Sequence, residues 1–430
     1  MNITYILERA SELLWGPWTA VGLMLAGLYL SAQNGFFQIT KLALWLKETG
    51  GQLFRRNRSD SITPVQSSLA ALAGTLGTGN IIGVAAALAA GGPGSILWMW
   101  IASVLGMMTS YAENVLGMLY RTRDSSGALL GGPMLYLERG LGAKRTAKLF
   151  AVICALSAFS MGSMTQASAI ADSVDTAFGL PPAVTGIAVA LLAAPAVLGG
   201  VKGAVRLTEK LIPFVAGAYM LACVAVICAN YRSLPEAFSL IFRDAFSVRS
   251  AAGGFAAALL VGVKRGVFTN EAGLGTTVIV HCSAENSSPV SQGMWGMFEV
   301  FADTIVVCTL TALAMLTAGG DITAAFSCIM GSFSDDFVAL SLALFAFATI
   351  IAWSCYGERV AVYLFGQRAV KPFRYLYILS PVPGAVLGIS GAVALSDIFN
   401  ALMCFINVTA VLLLSKKVRE ETGRHFKKRR

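Results

Sequence analysis

Charged residues are scarce in this 430-residue chain. They make up 13% of the sequence, whereas soluble domains carry roughly 25%. Hydrophobic residues reach 56%, and the mean hydropathy is +0.70. Many apolar runs are about 20 residues long, which is enough for a helix to cross the hydrocarbon core of a bilayer. The scarcity of charge therefore excludes a soluble protein and predicts a single all-α polytopic domain embedded in the lipid bilayer.

Histidine is nearly absent, and cysteine pairs are absent. The only histidines are His281 and His425, and the eight cysteines form no CxxC pair. A multi-histidine metal site is thereby excluded, and the cysteines, most of them in apolar runs, are expected to act as small hydrophobic residues. The sequence has neither an HExxH nor a GxSxG motif, so we expect that the protein is not an enzyme. No basic start with a cleavage site opens the chain, so we expect no removable signal peptide.

The positive charge of the chain is distributed as in membrane proteins. The net charge is +9, but the basic residues lie in short loops and in the tail 415–430. This is the pattern that orients membrane proteins, with basic loops in the cytoplasm. We therefore expect no nucleic-acid partner.

The apolar runs give about eleven predicted spans. Their ranges are 18–46, 64–90, 94–120, 147–174, 183–198, 208–230, 253–280, 289–317, 337–365, 375–395 and 398–414. With eleven spans and a cytoplasmic tail, the basic loops fall on the cytoplasmic side; they include Arg55, Arg56, Arg58, Arg121, Lys202 and Arg368. The predicted outer loops 172–182, 319–336 and 396–397 contain no Lys or Arg, and only the loop 231–249 is mixed. We therefore place the N-terminus outside the cell and the C-terminus in the cytoplasm.

One predicted span is interrupted. Residues 74–80, GTLGTGN, place three glycines within the apolar run 64–90. Glycine is a poor helix former, so we expect the helix to break there. At membrane depth, unwound backbone persists only where protein buries it or where it lines a polar cavity, and such breaks build the sites of secondary transporters. The alternative is close packing of the glycines against another helix. A GxGxxG nucleotide loop is excluded, because the third glycine falls one residue late and no strand precedes it.

The run 253–280 contains a second interruption. Lys264, Arg265 and Glu271 lie inside it, and each costs about 2.5–3.5 kcal/mol at the bilayer centre if it is unpaired. If the span 18–46 is set aside, each interruption opens a half of five spans, 64–230 and 253–414. An odd number of spans gives the two halves opposite orientations. Interruptions at matching positions of two inverted halves point to a transporter site.

Several runs resemble the alanine or glycine:cation symporter family (sodium:alanine symporters), within the amino acid–polyamine–cation superfamily. They are GTGNIIGVAAALAAGGPGSILWMW, SYAENVLGMLYR, GGPMLYLERGLG, RGVFTNEAGLGT and FADT, in the expected order over residues 20–416. The resemblance implies a sodium-coupled importer of small neutral amino acids, alanine or glycine. It also implies a LeuT-like five-plus-five inverted repeat preceded by one extra N-terminal helix, 18–46. We expect a monomer in a bacterial inner membrane.

An amino-acid substrate needs a partner for its carboxylate. Free amides at a helix N-terminus favour an anion, and we expect Gly77, Thr78 and Gly79 to supply them. Asn80 is expected to cap the second half of the broken helix. The resemblance also places Gln166 at the substrate. From the residue alone, an amide that joins two helices is an equal alternative.

The coupling ion, Na+, needs several hard oxygens. By analogy with related folds, the expected ligands are two carbonyl groups before the first interruption and a carbonyl and a hydroxyl group in a later span. They are Ala73, Leu76, Ala346 and Thr349. Thr349 and Trp353 are four residues apart and share one helix face. The resemblance implies that this face lines the substrate site and that Trp353 limits side-chain size. The alternatives are a threonine bonded to its own helix and a tryptophan that only packs.

Two acids, Glu299 and Asp303, lie one turn apart in the span 289–317. We expect them to form a structural ion-pair network with Lys264 and Arg265; a proton relay is the alternative. Other charged residues are expected to reach the membrane surface or to pair at cytoplasmic span ends. These are Glu113, Glu358 and Arg359.

The sequence therefore predicts sodium-driven symport of a small neutral amino acid by alternating access. Two alternatives stay open. One is proton-coupled transport through Glu299 and Asp303, and the other is an amino-acid sensor that binds without transporting.

Overall fold

The computed structural model describes residues 3–53, 61–247, 254–285 and 287–428, and these are mostly helical. The predicted cytoplasmic residues Arg55, Arg56 and Arg58 lie outside the described residues, as does residue 253, the predicted start of the second half. An all-α fold is therefore confirmed for the described part of the chain, with one short hairpin added to it.

The N-terminal half contains twelve α-helices among its described residues. They are α1 (Ile3–Leu14), α2 (Pro17–Gln33), α3 (Phe37–Thr40), α4 (Leu42–Glu48), α5 (Pro64–Thr75), α6 (Ile82–Gly91), α7 (Gly94–Tyr120), α8 (Pro133–Leu135), α9 (Lys144–Phe159), α10 (Thr165–Phe178), α11 (Pro182–Leu198) and α12 (Gly200–Ala229). Short 3-10 turns lie at Gly50–Gln52 and Thr78–Asn80, and π-helical stretches at Tyr136–Gly140 and Ser160–Met164. The hairpin pairs β1 (Thr122–Arg123) with β2 (Leu129–Leu130) in antiparallel register.

The C-terminal half contains eleven more α-helices among its described residues. They are α13 (Leu234–Asp244), α14 (Gly254–Asn270), α15 (Thr277–His281), α16 (Pro289–Val300), α17 (Thr309–Ala318), α18 (Ile322–Met330), α19 (Ser334–Phe365), α20 (Val370–Leu379), α21 (Pro381–Leu387), α22 (Ile389–Leu413) and α23 (Ser415–Lys428). A π-helical stretch, Phe301–Cys308, joins α16 to α17, and 3-10 turns lie at Tyr231–Ser233, Gly331–Phe333 and Gln367–Ala369.

Six helical stretches in the described ranges are long and apolar enough to cross a membrane. They are Gly94–Tyr120, Lys144–Phe178, Gly200–Ala229, Pro289–Ala318, Ile322–Phe365 and Ile389–Leu413. Helices α1 and α2 form a seventh candidate if the pair, bent by 41°, is one span. The number is smaller than eleven partly because two predicted spans are broken and others are short apolar helices such as α11. Eleven spans therefore stay a prediction.

The first predicted interruption is present at residues 76–81. Helix α5 starts at a capping box in which Thr63 and Gln66 exchange hydrogen bonds, with proline at the first helical position. It ends at Thr75, because Leu76 and Gly77 leave helical conformation. The chain then forms one 3-10 turn and enters α6. The glycines of GTLGTGN thus place a non-helical segment between two short helices, as the sequence predicts.

The second predicted interruption is present at residues 271–276. Its backbone turns through three residues with positive φ, which are Glu271 (56°), Gly273 (97°) and Gly275 (74°). Glycine adopts this region freely, whereas a glutamate there is strained. A Cβ atom at position 275 would also overlap Pro133 and Asn407. The segment is therefore an ordered turn that links α14 to α15.

Two predicted span boundaries are wrong. The predicted span 18–46 is not one helix: α2 ends at Gln33, and the chain turns at Gly35 and Phe36, both with positive φ. The predicted outer loop 396–397 lies inside α22, and the turn before that helix is at Gly388. The prediction treated a charged residue as a loop residue, but Asp397 is buried in a helix and paired with Lys264.

The surface of the bundle is apolar where helices α11 and α12 face outward. Leu192, Phe214 and Leu221 have exposed fractions of 67%, 72% and 73%. The centre, in contrast, is fully closed around α7, α16 and α19, where Tyr111, Met294 and Trp353 are buried. A contiguous apolar surface of this kind is disfavoured in water and favoured in lipid. The exposed belt is therefore consistent with a membrane-embedded bundle.

An ion pair between a partly exposed lysine and a buried aspartate joins three distant helices. Lys264 Nζ of α14 lies 2.6 Å from Asp397 Oδ2 of α22 and donates to Ser11 Oγ of α1 at 3.1 Å. Ser11 Oγ in turn donates to the same carboxylate oxygen, and Trp15 Nε1 donates to the backbone carbonyl of Asp397. Because the pair neutralises both charges, it explains how a lysine and an aspartate lie within apolar helices.

Replacing one member of this pair is expected to destabilise the fold. Lys264→Met leaves Asp397 buried and unpaired, which costs on the order of 3 kcal/mol and should lower the midpoint of thermal unfolding in detergent by several degrees. The double variant Lys264→Met/Asp397→Leu should recover most of that loss. Glu420→Ala, in the exposed pair of Lys417 and Glu420, is the control and should change little. A Lys264→Met protein as stable as the wild type would contradict this account.

Candidate functional site

Thr349 meets the end of the first half-helix. Its hydroxyl Oγ1 lies 2.9 Å from the carbonyl oxygen of Ala73 and 3.4 Å from that of Leu76. The carbonyl oxygen of Phe345, in its own helix α19, is 3.2 Å away. Three carbonyl oxygens thus surround one hydroxyl group that has a single hydrogen to donate. The result is a buried cluster of hard, electron-rich oxygens, the kind of ligand that small cations prefer.

The structure brings together three of the four predicted cation ligands. Ala73, Leu76 and Thr349 meet as described above. Ala346 is fully buried in α19, three residues before Thr349. The α19 carbonyl group that accepts from Thr349 is that of Phe345, the residue before Ala346. Thr349 therefore also makes the hydrogen bond to its own helix that the sequence analysis gave as the alternative.

Gly77 lies between Thr349 and Gln166. A Cβ atom at position 77 would be 2.7 Å from Thr349 Oγ1 and 3.2 Å from Gln166 Oε1. The backbone N–H of Thr78 donates to Gln166 Oε1 at 3.3 Å. Gln166 Nε2 donates to the carbonyl oxygen of Met161, inside the π-helical stretch that precedes α10. Gln166 therefore satisfies a peptide group of the interruption from a separate helix.

Asn80 satisfies the interruption from within. Its Oδ1 accepts the N–H of Gly77 at 3.1 Å, and its Nδ2 donates to Asp303 Oδ1 at 2.7 Å. The predicted role as the cap of α6 is wrong, because the residue before that helix is Ile81 and no side chain caps it. Gly79 packs against Thr269 at the end of α14. Two of the three predicted amides, those of Gly77 and Thr78, thus have protein partners in this conformation.

A cavity of about 380 Å³ reaches the first interruption. Thr78 and Gly79 lie among its lining residues together with Ser11, Lys264 and Asp397 of the cluster that joins α1 to α14 and α22. Its volume falls within the roughly 300–1,000 Å³ of small-molecule sites. The unwound backbone at Thr78 and Gly79 therefore borders a cavity that also reaches the N-terminal helix α1.

Trp353 is fully buried one turn after Thr349. Its indole N–H donates to Glu271 Oε1 at 3.0 Å, and its ring contacts Tyr356 with centroids 5.2 Å apart. A Cβ atom at Gly162 would overlap the indole, so the ring packs directly on the π-helical stretch before Gln166. Trp353 thereby connects the second interruption to the wall of the site, a partner that the sequence analysis did not foresee.

The predicted network of Glu299 and Asp303 with Lys264 and Arg265 is wrong. Lys264 pairs with Asp397, and the guanidinium of Arg265 lies over the ring of Phe268 at 5.9 Å. The prediction paired these charges by their positions in the sequence, which do not determine which helices pack together. Both acids instead turn toward polar groups of the two broken helices.

The actual partners of these acids are neutral or titratable groups. Glu299 Oε2 lies 2.9 Å from His281 Nε2 of α15, and Asp303 binds Asn80. His281 Nδ1 contacts Gln292 Nε2 at 2.6 Å. The signal that could have identified His281 is its position five residues after the second interruption, at the end of α15, in a chain with only two histidines.

Charged residues at the ends of α19 and its neighbours form pairs, as expected. Glu358 pairs with Arg374 at 2.6 Å, and Arg359 pairs with Asp124 of the hairpin turn at 3.2 Å. Burial alone would raise the pKa of Asp124. Hydrogen bonds from Ser126 and from the backbone N–H of Ala128, together with the charge of Arg359, lower it instead. The Arg359–Asp124 pair fixes the hairpin to α19, and the Glu358–Arg374 pair fixes α20 to the same helix.

Glu113 does not reach a membrane surface or form an ion pair among the described residues. It is buried in α7, and its Oε1 accepts a hydrogen bond from Asn407 Nδ2 of α22. Asn407 also donates to the carbonyl oxygen of Gly273 in the second interruption and accepts from Tyr136. The expectation for this residue is therefore wrong, because a long-range amide and not the lipid interface satisfies it.

Comparisons with known proteins place this geometry in context. A sequence model described as the sodium:alanine symporter family matches residues 1–430. An uncharacterized transporter of Haemophilus influenzae is 39% identical over 447 residues, which cover 100% of this chain and 97% of the relative. The sodium/alanine symporter AgcS of Methanococcus maripaludis is 36% identical over 439 residues, covering 98% of this chain and 97% of AgcS.

A solved structure shares the fold. The crystal structure of MhsT in complex with L-phenylalanine superposes with a TM-score of 0.57, covering 81% of this chain and 89% of MhsT. The two sequences are 14% identical. At this identity the similarity concerns the fold alone, and it supports a bundle of the same general architecture.

The close approach at Gly77 generates a prediction. Gly77→Ala places a methyl group 2.7 Å from Thr349 Oγ1, and overpacking of this kind costs roughly 1–3 kcal/mol. The midpoint of thermal unfolding should fall. Gly217→Ala is the matched control, because a Cβ atom there meets nothing within 4 Å. Equal stability of the two variants would show that the interruption is not packed as described.

Proposed function

Because the chain belongs to the sodium:alanine symporter family, we propose that it imports a small neutral amino acid, alanine or glycine, driven by sodium. The protein is a membrane transporter and not an enzyme. The observation that carries the sodium proposal is the group of oxygens at Ala73, Leu76 and Thr349. Carbonyl and hydroxyl oxygens at the end of a half-helix are hard ligands, and the negative end of the helix dipole favours a cation there.

In this proposal the amino acid binds beside the ion at the first interruption. Gly77, Thr78, Gly79 and Asn80 form the binding backbone, and Gln166 and Thr349 lie next to it. The substrate carboxylate takes the place of a protein acceptor, such as Gln166 Oε1, on one of the amides. Since a protein acceptor already holds these amides, the site stays satisfied in the absence of substrate. The cavity that reaches Thr78 and Gly79 gives the substrate its path.

The membrane arrangement that we propose follows the sequence. Eleven spans form two inverted halves, 64–230 and 253–414, after one N-terminal span that includes α2, with a basic tail at 415–430. The N-terminus lies outside and the C-terminus in the cytoplasm of a bacterial inner membrane, and the protein acts as a monomer. The two observed interruptions support two matching halves. Alternating access then exposes the first interruption to each side in turn.

Proton coupling is the second candidate, and one observation favours it. His281 and Glu299 form a fully buried contact of 2.9 Å that reaches Gln292 and, through it, Ser67 of α5. A histidine–carboxylate pair inside a membrane is a common proton-carrying group. The third candidate is a sensor that binds the amino acid without transporting it. It would use the same site, so only a transport measurement distinguishes it from a transporter.

Uptake into proteoliposomes tests these candidates. Labelled alanine and glycine should accumulate under an inward sodium gradient, and choline in place of sodium should abolish accumulation. Uptake that follows a pH gradient without sodium would favour the proton candidate. Specific binding without accumulation under either gradient would favour the sensor. A protein that neither binds nor accumulates these amino acids would refute the proposed substrate class.

The oxygen cluster predicts a specific change in sodium dependence. Thr349→Ala removes the hydroxyl ligand while leaving the carbonyl groups of Ala73 and Leu76, so the sodium concentration for half-maximal uptake should rise roughly tenfold, equivalent to about 1.4 kcal/mol. Thr349→Ser keeps the hydroxyl and should stay within about twofold of wild type. The expression level and the thermal unfolding midpoint serve as controls for folding. Unchanged sodium dependence in Thr349→Ala would remove this residue from the ion site.

A further inference from the structure

Glu271 is a buried glutamate in a strained backbone conformation. It is the first residue after α14, has φ 56°, and is 1% exposed. A non-glycine residue in this region is uncommon, and it persists only where the surrounding structure holds it. Asparagine or glycine would fit this backbone with less strain, so the contacts of the longer Glu271 side chain must offset the difference.

The two oxygens of the Glu271 carboxylate bind different elements. Oε2 accepts the hydroxyl hydrogen of Thr276, at the end of the same interruption. Oε1 accepts the indole N–H of Trp353 in α19 at 3.0 Å. The neighbouring cations are engaged elsewhere, since Lys264 pairs with Asp397 and Arg265 lies over Phe268. The carboxylate therefore acts as a two-sided acceptor that joins the second interruption to α19.

The indole that Glu271 holds is part of the wall of the proposed site. Trp353 lies four residues after Thr349, whose hydroxyl contacts the first interruption, and both face the same side of α19. On its other side the ring packs against Gly162, four residues before Gln166, which binds Thr78. A rotation of the indole would therefore change the space beside the first interruption.

We propose that Glu271 is a positioning residue that fixes the Trp353 ring and thereby sets the upper limit on substrate side-chain size. The inference rests on the proposed function, in which Trp353 borders the amino-acid site. The hydrogen bond selects one orientation of the indole, and the hydroxyl of Thr276 holds the carboxylate in place. Loss of the bond leaves a ring that packs but is free to tilt, and larger side chains then fit.

Selectivity between substrates of different size is the quantity to measure. In proteoliposomes, the ratio of kcat/KM for valine to that for alanine should rise roughly tenfold in Glu271→Ala, the range that a methylene-sized change in a pocket produces. Trp353→Phe, which removes the N–H and also shortens the ring, should raise the ratio at least as much. Glu271→Gln keeps a carbonyl acceptor of the same length and should restore the wild-type ratio.

A double-mutant cycle separates positioning from a general structural effect. If Glu271 acts through its hydrogen bond to Trp353, Glu271→Ala should add nothing once that bond is gone, and Glu271→Ala/Trp353→Phe should have about the same ratio as Trp353→Phe alone. Tyr377→Phe is the matched control: it removes a different hydrogen bond to α19, from Tyr377 to the Ile350 carbonyl group, and should leave the ratio unchanged. If Glu271→Ala does not fold, Glu271→Met, which is similar in size and has no comparable acceptor, takes its place.

A second readout observes the contact directly. The indole ¹⁵N–H resonance of Trp353, assigned by its loss in Trp353→Phe, should shift in Glu271→Ala and not in Tyr377→Phe. An unchanged resonance or an unchanged valine-to-alanine ratio in Glu271→Ala overturns the inference while alanine transport by the wild type still supports the proposed function. Additive effects in the cycle also overturn it. A wild-type protein that transports no amino acid overturns the proposed function and this inference together.

Discussion

The structure depends on how peptide groups are satisfied where two helices unwind inside an apolar bundle. An unpaired N–H or C=O group in hydrocarbon costs several kcal/mol, so each interruption needs polar partners for the peptide groups that leave the helix. At residues 76–81 these partners are the side chains of Asn80, Gln166 and Thr349. At residues 271–276, Asn407 contacts the carbonyl group of Gly273. The positions of α10, α19 and α22 follow from this requirement.

The same requirement explains why the candidate site coincides with the first interruption. A helix that ends inside the bundle presents carbonyl oxygens at one end and amides at the other. Side chains that satisfy these groups in the absence of ligand bind them by single hydrogen bonds, such as that from Thr78 to Gln166 at 3.3 Å. A cation or a carboxylate offers a stronger, charge-assisted interaction with the same groups. The polar partners are thus consistent with both the stability of the bundle and the proposed binding of a zwitterion and an ion.

Sequence reasoning located both interruptions, because glycine clusters and charges inside apolar runs are local signals. It also placed Thr349 near Ala73 and Leu76, but only through family resemblance, since a separation of 273–276 residues along the chain has no local signature. The ion-pair partners of the buried charged residues were predicted wrongly. Lys264 binds Asp397 and not Glu299, and Glu299 binds His281, because helix packing determines which charges meet. The aspartate in α22 was taken for a loop residue for the same reason, as its neutralising partner lies 133 positions earlier.

Helix α19 links the two interruptions physically. Thr349 contacts the first, and Trp353, one turn later on the same face, contacts the second through Glu271. A rigid helix moves as a unit, so a shift of α19 that changes the distance from Thr349 to Ala73 also moves the indole relative to residues 271–276. In the proposed function, the ion would bind at the first contact and the substrate side chain would meet the second. One helix face would then respond to both ligands, which is the physical requirement for coupling their movement, because each ligand biases the position of the same element.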